Sequence, residues 1–153
     1  MTRPHVFIHL DDRHVPALAE LLAEYAAALS GTAHTADTAR AQALISEPAA
    51  TVWGAFKDGE LAGFAMVYEL LEAVSGMRCG QLDDLYIAPE ARGASLAEQL
   101  IGAISDDGRA KGWVHLRWLA PEGAAAARRL YDRIATPKPW QSYAITLNPG
   151  AGF

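Results

Sequence analysis

The feature that most constrains this chain is the passage from Leu85 to Gln99, Leu85-Tyr86-Ile87-Ala88-Pro89-Glu90-Ala91-Arg92-Gly93-Ala94-Ser95-Leu96-Ala97-Glu98-Gln99. An apolar run meets a proline, a short turn carries Arg92 and Gly93, and an amphipathic segment starts at once. This pattern predicts a strand feeding a tight turn directly onto a helix N-terminus. The first N–H groups of a helix have no intrahelical acceptor, and the helix dipole adds about half a positive charge there. Such a junction is an anion site beside a strand end, and a diphosphate fits it.

The chain around this junction reads as alternating short elements. Val6–Leu10 forms a strand, and Asp11-Asp12 with Pro16 opens a helix bearing Leu18, Leu22, Tyr25 and Leu29 at helical spacing. A shorter helix covers residues 35–45, before Pro48. Residues 51–56 and 61–71 are apolar strands joined through Asp58-Gly59, a hairpin signal. Residues 78–87 form the next strand, and a helix from about Ser95 to Ala110 packs through Leu96, Ala97, Leu100, Ile101 and Ile104. Residues 113–119 read as a strand. Pro121 opens a last helix with an inner stripe of Ala127, Leu130, Tyr131 and Ile134. Residues 140–147 read as a final strand with Tyr143, Ile145 and Leu147 on one face, and 148–153 as a loose tail. The expected fold is α/β (α+β): one domain over 1–153, with a mixed, mostly antiparallel six- to seven-stranded sheet flanked by about four helices.

Composition narrows the partners. A net charge of -5 disfavours nucleic acid. Cys79 is the only cysteine, which rules out an intrachain disulfide and a cysteine metal cluster, and the five histidines lack zinc spacing, so no metal is expected. No apolar run reaches membrane-spanning length and the N-terminal residues lack a signal-peptide pattern, so a cytoplasmic protein is expected.

The segment Gln81-Leu82-Asp83-Asp84-Leu85-Tyr86-Ile87-Ala88-Pro89, followed by Arg92-Gly93-Ala94-Ser95-Leu96-Ala97, resembles the GCN5-related N-acetyltransferases. The resemblance extends from Val6 to Leu147. The family's acyl-CoA signature is Gln or Arg, two residues, Gly, one residue, then Gly or Ala. Arg92 and Ala97 fit it, and Ser95 replaces the central glycine. Ala127-Arg128-Arg129-Leu130-Tyr131 resembles a second family pattern, with Ala124 where that pattern has Asn. The resemblance implies a sheet split between its central strands and acetyl transfer from acetyl-CoA to the primary amine of a small molecule by direct attack.

It also implies roles. Arg92, Gly93, Ala94, Ser95, Leu96, Ala97 and Glu98 bind the diphosphate. The backbone of Leu85, Tyr86 and Ile87 pairs with the pantetheine arm by strand addition. Serine at 95 is small and able to cap a helix, but its Cβ sets a phosphate further out, so weaker affinity is expected rather than lost binding. Tyr131 is the candidate general acid toward the departing thiolate, although periodicity alone reads it as core. Asp83 is the candidate for ammonium binding or base work, with Asp84 its rival, since neighbours on a strand face opposite ways unless a bulge intervenes. Ser95 and Ala124 leave two other readings open: a different acyl donor (carrier protein or aminoacyl-tRNA), or an inactive CoA-binding module. A homodimer completed through the terminal strand is a further expectation.

Overall fold

The computed structural model describes residues 3–93 and 95–151. It divides into two compact units, Met1–Trp118 and Leu119–Phe153.

The first unit is built on one five-stranded sheet in the order β1-β2-β3-β4-β5. Strand β1 is Val6–His9. Asp11 then accepts the Arg13 N–H at 3.0 Å and opens a single 3-10 turn leading into helix α1, Val15–Ser30. Leu18, Ala19 and Leu21 are buried on its inner face, and Gly31, at φ +75°, ends it in the left-handed conformation. Helix α2, Thr38–Ile45, starts later than the sequence suggests because Asp37 caps it, accepting the Arg40 N–H at 3.1 Å.

Strands β2, Ala50–Lys57, and β3, Glu60–Leu71, form the expected hairpin. Asp58 and Gly59 both take positive φ, 54° and 86°, as a two-residue turn between twisted strands requires. Strand β4, Arg78–Ile87, pairs antiparallel with β3 along its whole length. Helix α3, Leu96–Ala110, lays Leu96, Leu100, Ile101 and Ile104 into the core. Strand β5, Leu116–Trp118, pairs parallel with β4 at Gly80–Leu82. It is shorter than the expected 113–119 because Trp113 serves as a wedge: a Cβ on Gly80 of β4 or Gly108 of α3 would collide with its ring.

The second unit contains helix α4, Ala125–Ile134. It starts after Pro121 rather than at it, because residues 122–123 form a turn. Ala127, Leu130, Tyr131 and Ile134 are its half-buried stripe, as the periodicity requires. The expected strand over 140–147 does not form, so the sheet has five strands among the described residues rather than six or seven. Alternation of Tyr143, Ile145 and Leu147 specifies a face, but a strand also needs a ladder of backbone bonds, and this segment takes no strand conformation.

Candidate active site

The decisive geometry lies along β4. Its pairing with β5 stops at Leu82↔Trp118, while its pairing with β3 continues to Gly63↔Ile87. From Asp83 onward no strand covers the second edge among the described residues. This is the split in the sheet.

Alternation shows which groups the uncovered edge presents. Ala88 N–H donates to Ala62 O at 2.8 Å, so Ala88, Tyr86 and Asp84 direct their backbone groups toward β3. Leu85 and Ile87 direct theirs the other way. Tyr86 therefore contributes its backbone to the ladder and its ring, 7 % exposed, to the core.

The turn after β4 is tied back to the strand. Arg92 Nε donates to Ile87 O at 3.0 Å, and the guanidinium lies 5.7 Å from the Tyr86 ring centre. Gly93 has φ +85°, an ordinary glycine role. Ser95 stands at the N-cap of α3 with φ 58° and ψ 22°, and its side chain makes no capping bond. The position demands the left-handed conformation that glycine takes without strain. That explains the glycine of the family signature at this place, and serine adopts the same backbone at a cost. Gln99 N–H donates to Ser95 O at 3.0 Å, closing the first helical turn. The N–H groups of Leu96 and Ala97 open the helix at its N-terminal end. Ala94, expected among the diphosphate ligands, lies outside the described residues.

A register shift between Met66 and Val67 makes Asp83 the extra residue of a β-bulge: Met66 faces Asp84 and Val67 faces Leu82. The bulge brings the two carboxylates within reach of each other, where regular alternation would part them. Asp83 is exposed and Asp84 half-buried. Asp84 accepts a hydrogen bond from Tyr25 Oη at 3.0 Å. Burial pushes the Asp84 carboxyl above the usual carboxylate range; the Tyr25 bond opposes this and the neighbouring Asp83 carboxylate adds to it. On β3, burial raises Tyr68, and the carboxylates of Asp83, Glu47 and Asp84 raise it further. This end of the sheet thus carries negative potential.

Tyr131 lies on α4, half-buried, and burial raises its phenol above the usual value. Among the described residues no group of three His, Cys, Asp or Glu side chains is placed to hold a metal ion.

The sequence offers Tyr25, with Glu24, Glu69 and Glu72, as a residue able to line an acceptor pocket, and no motif singles it out. The signal available was a hydroxyl-bearing ring within an otherwise apolar helical stripe.

The fold that carries this strand and turn recurs among known proteins. The profile of the Acetyltransferase (GNAT) family matches residues 15–135, and the chain belongs to that family. It is similar to the crystal structure of ribosomal-protein-alanine N-acetyltransferase from Brucella melitensis biovar Abortus 2308, with 35% identity, a TM-score of 0.85, and coverage of 95% of this chain and 100% of that one. It shares its fold with the aminoglycoside acetyltransferase meta-AAC0020 from an uncultured soil metagenomic sample, at 17% identity and TM-score 0.81, covering 94% and 97% of the two chains. An integron cassette protein from the mobile metagenome of V. cholerae is alike in fold at 18% identity and TM-score 0.81, covering 97% and 95%. No curated protein matches the sequence.

Proposed function

We propose that this protein is an acetyl-CoA-dependent N-acetyltransferase acting on the primary amine of a small molecule. The observation that carries the reading is the one-sided stretch of β4 running into the N-terminus of α3. The backbone groups of Leu85 and Ile87 suit the amides of a pantetheine arm. The N–H groups of Leu96 and Ala97, with the Gly93 turn, suit a diphosphate. Acetyl-CoA supplies an activated thioester, and its thiol is the leaving group.

The remaining chemistry belongs to the chain. Asp83 at the bulge attracts the acceptor's ammonium, and ionised Asp84 takes its proton. The Leu85 N–H holds charge developing on the acyl oxygen. Tyr131, whose place in the reading rests on its match to the family's helix pattern, gives its proton to the departing sulfur. Its raised phenol keeps that proton present at neutral pH.

A second reading takes the α-amino group of a peptide as acceptor. The 35% identity to a protein named for ribosomal-protein alanine favours it.

The test joins a thermal shift to a turnover assay. Acetyl-CoA is expected to raise Tm, since a ligand that binds only the folded state stabilises it. A panel of aminoglycosides, polyamines and a peptide beginning with alanine then separates the two acceptors. Tyr131→Phe is expected to lower kcat about 10²-fold with acetyl-CoA affinity nearly intact. No Tm rise with any CoA thioester refutes the reading, and an unchanged kcat removes Tyr131 from it.

A further inference from the structure

The phenol of Tyr25 reaches Asp84 across 59 positions of sequence, from the middle of α1 to the bulge of β4. Its ring is fixed on two sides. It meets Phe64 edge-on at 5.6 Å and 74°, and Tyr86 in a tilted contact at 5.3 Å and 36°. Phe64 and Tyr86 are cross-strand partners on β3 and β4, and both are buried. The helix beneath is anchored by Leu18 and Leu21, also buried. Packing alone accounts for the ring, and phenylalanine would supply it equally well. The hydroxyl needs another explanation, and its bond ends on the half-buried carboxylate of the bulge.

We propose that Tyr25 is a positioning residue: its hydroxyl, carried by α1, orients the Asp84 carboxylate to receive the proton of the acceptor amine. The inference rests on the reading in which Asp84 is that acceptor. It makes the first helix part of the machinery rather than only a wall of the core. It also links the base to the anion turn, since Tyr86 packs against Tyr25 on one side and Arg92 on the other.

The bond has a direction of effect on titration. A phenolic O–H donated to a carboxylate favours its ionised form. Among the described residues, Asp83 on its own strand and Tyr68 on β3 also face Asp84. The Asp83 carboxylate and burial both favour protonated Asp84, so Tyr25 opposes them. Loss of the hydroxyl leaves those two unopposed.

The experiment compares the wild-type protein, Tyr25→Phe, Asp84→Asn and the double variant. It measures kcat and KM for the best amine of the panel between pH 5 and 9, and acetyl-CoA affinity in parallel. Tyr25→Phe is expected to move the acid limb of kcat/KM to higher pH, and to lower its value near neutrality roughly tenfold. Acetyl-CoA affinity stays at the wild-type value. In the Asp84→Asn background the same change has no further effect on the limb, because the group it tunes is gone. A carbon-13 titration of the Asp84 carboxyl, which needs no turnover, is expected to show the same upward shift in Tyr25→Phe. A wild-type titration curve in Tyr25→Phe overturns the inference, as does a limb that moves equally in the Asp84→Asn background. Wild-type protein that binds acetyl-CoA yet acetylates no amine overturns the parent reading and the catalytic role with it; the carboxyl titration distinguishes that failure from one at Tyr25 alone.

Discussion

The two halves of β4 share one backbone and meet different surroundings. From Gly80 to Leu82 the strand is held on both sides, by β3 and by β5. Gly80 N–H donates to His115 O at 3.0 Å, Arg117 Nε donates to Gln81 Oε1 at 3.0 Å, and the Trp113 ring fills the space over Gly80 and Gly108. From Asp84 to Ile87 only β3 remains among the described residues, and the second edge carries the backbone groups of Leu85 and Ile87. The bulge at Asp83 is the point of change. The closed half supplies stiffness, and the open half presents groups that a ligand can use, held in place by the first. In the proposed reading such a site needs few special side chains, because backbone carries much of the recognition.

The comparison can be broken first at its closed end. Trp113→Ala is expected to cost about 3 kcal/mol, the low end for loss of a packed indole, because the side chain is only half-buried. Denaturant melts measure it, and acetyl-CoA binding survives below the melt. Unchanged stability would mean that the wedge does not anchor the strand.

At the bulge, Asp84→Asn is expected to lower kcat/KM about 10²-fold. It carries a stability effect of opposite sense. The folded-state pKa of Asp84 is raised above its unfolded value. Its contribution to stability is therefore present at low pH and is lost as pH rises through the folded pKa. Asparagine lacks that loss, so the variant gains on wild type toward neutral pH. Denaturation midpoints across pH measure this, and parallel curves would contradict it.

The smallest effect is expected at the far end of the open half. Ser95→Gly relieves a left-handed backbone and is expected to add about 1 kcal/mol of stability. It also draws the turn toward the family pattern and tightens acetyl-CoA binding. Calorimetry reads both changes, and a looser complex would show that the serine hydroxyl contributes to binding.

Much of this architecture is legible in residues whose local preferences agree with their tertiary setting. Asp58-Gly59 turns where such a pair turns, the strand ending at Ile87 runs into its helix, and the stripe of α3 buries its own Leu96, Leu100 and Ile104. The reading fails where a partner decides. Tyr143, Ile145 and Leu147 alternate correctly and form no strand, because alternation cannot provide a neighbour. Ser95 looks like a cap and instead occupies a conformation suited to glycine, since the turn's course overrides the residue's preference. The bulge leaves no mark in Asp83-Asp84, as it arises from the register between β3 and β4. The half-burial of Asp84 beside an exposed Asp83 is therefore visible only in the structure, and so is the bond from Tyr25.

The most direct test of this account is residue-resolved amide hydrogen exchange with and without acetyl-CoA. The account predicts new protection at the Leu85 and Ile87 amides and in the first turn of α3, with Gly80 and Leu82 unchanged because β5 already holds them. Protection confined to the closed half, or none at Leu85 and Ile87 under saturating acetyl-CoA, would contradict it.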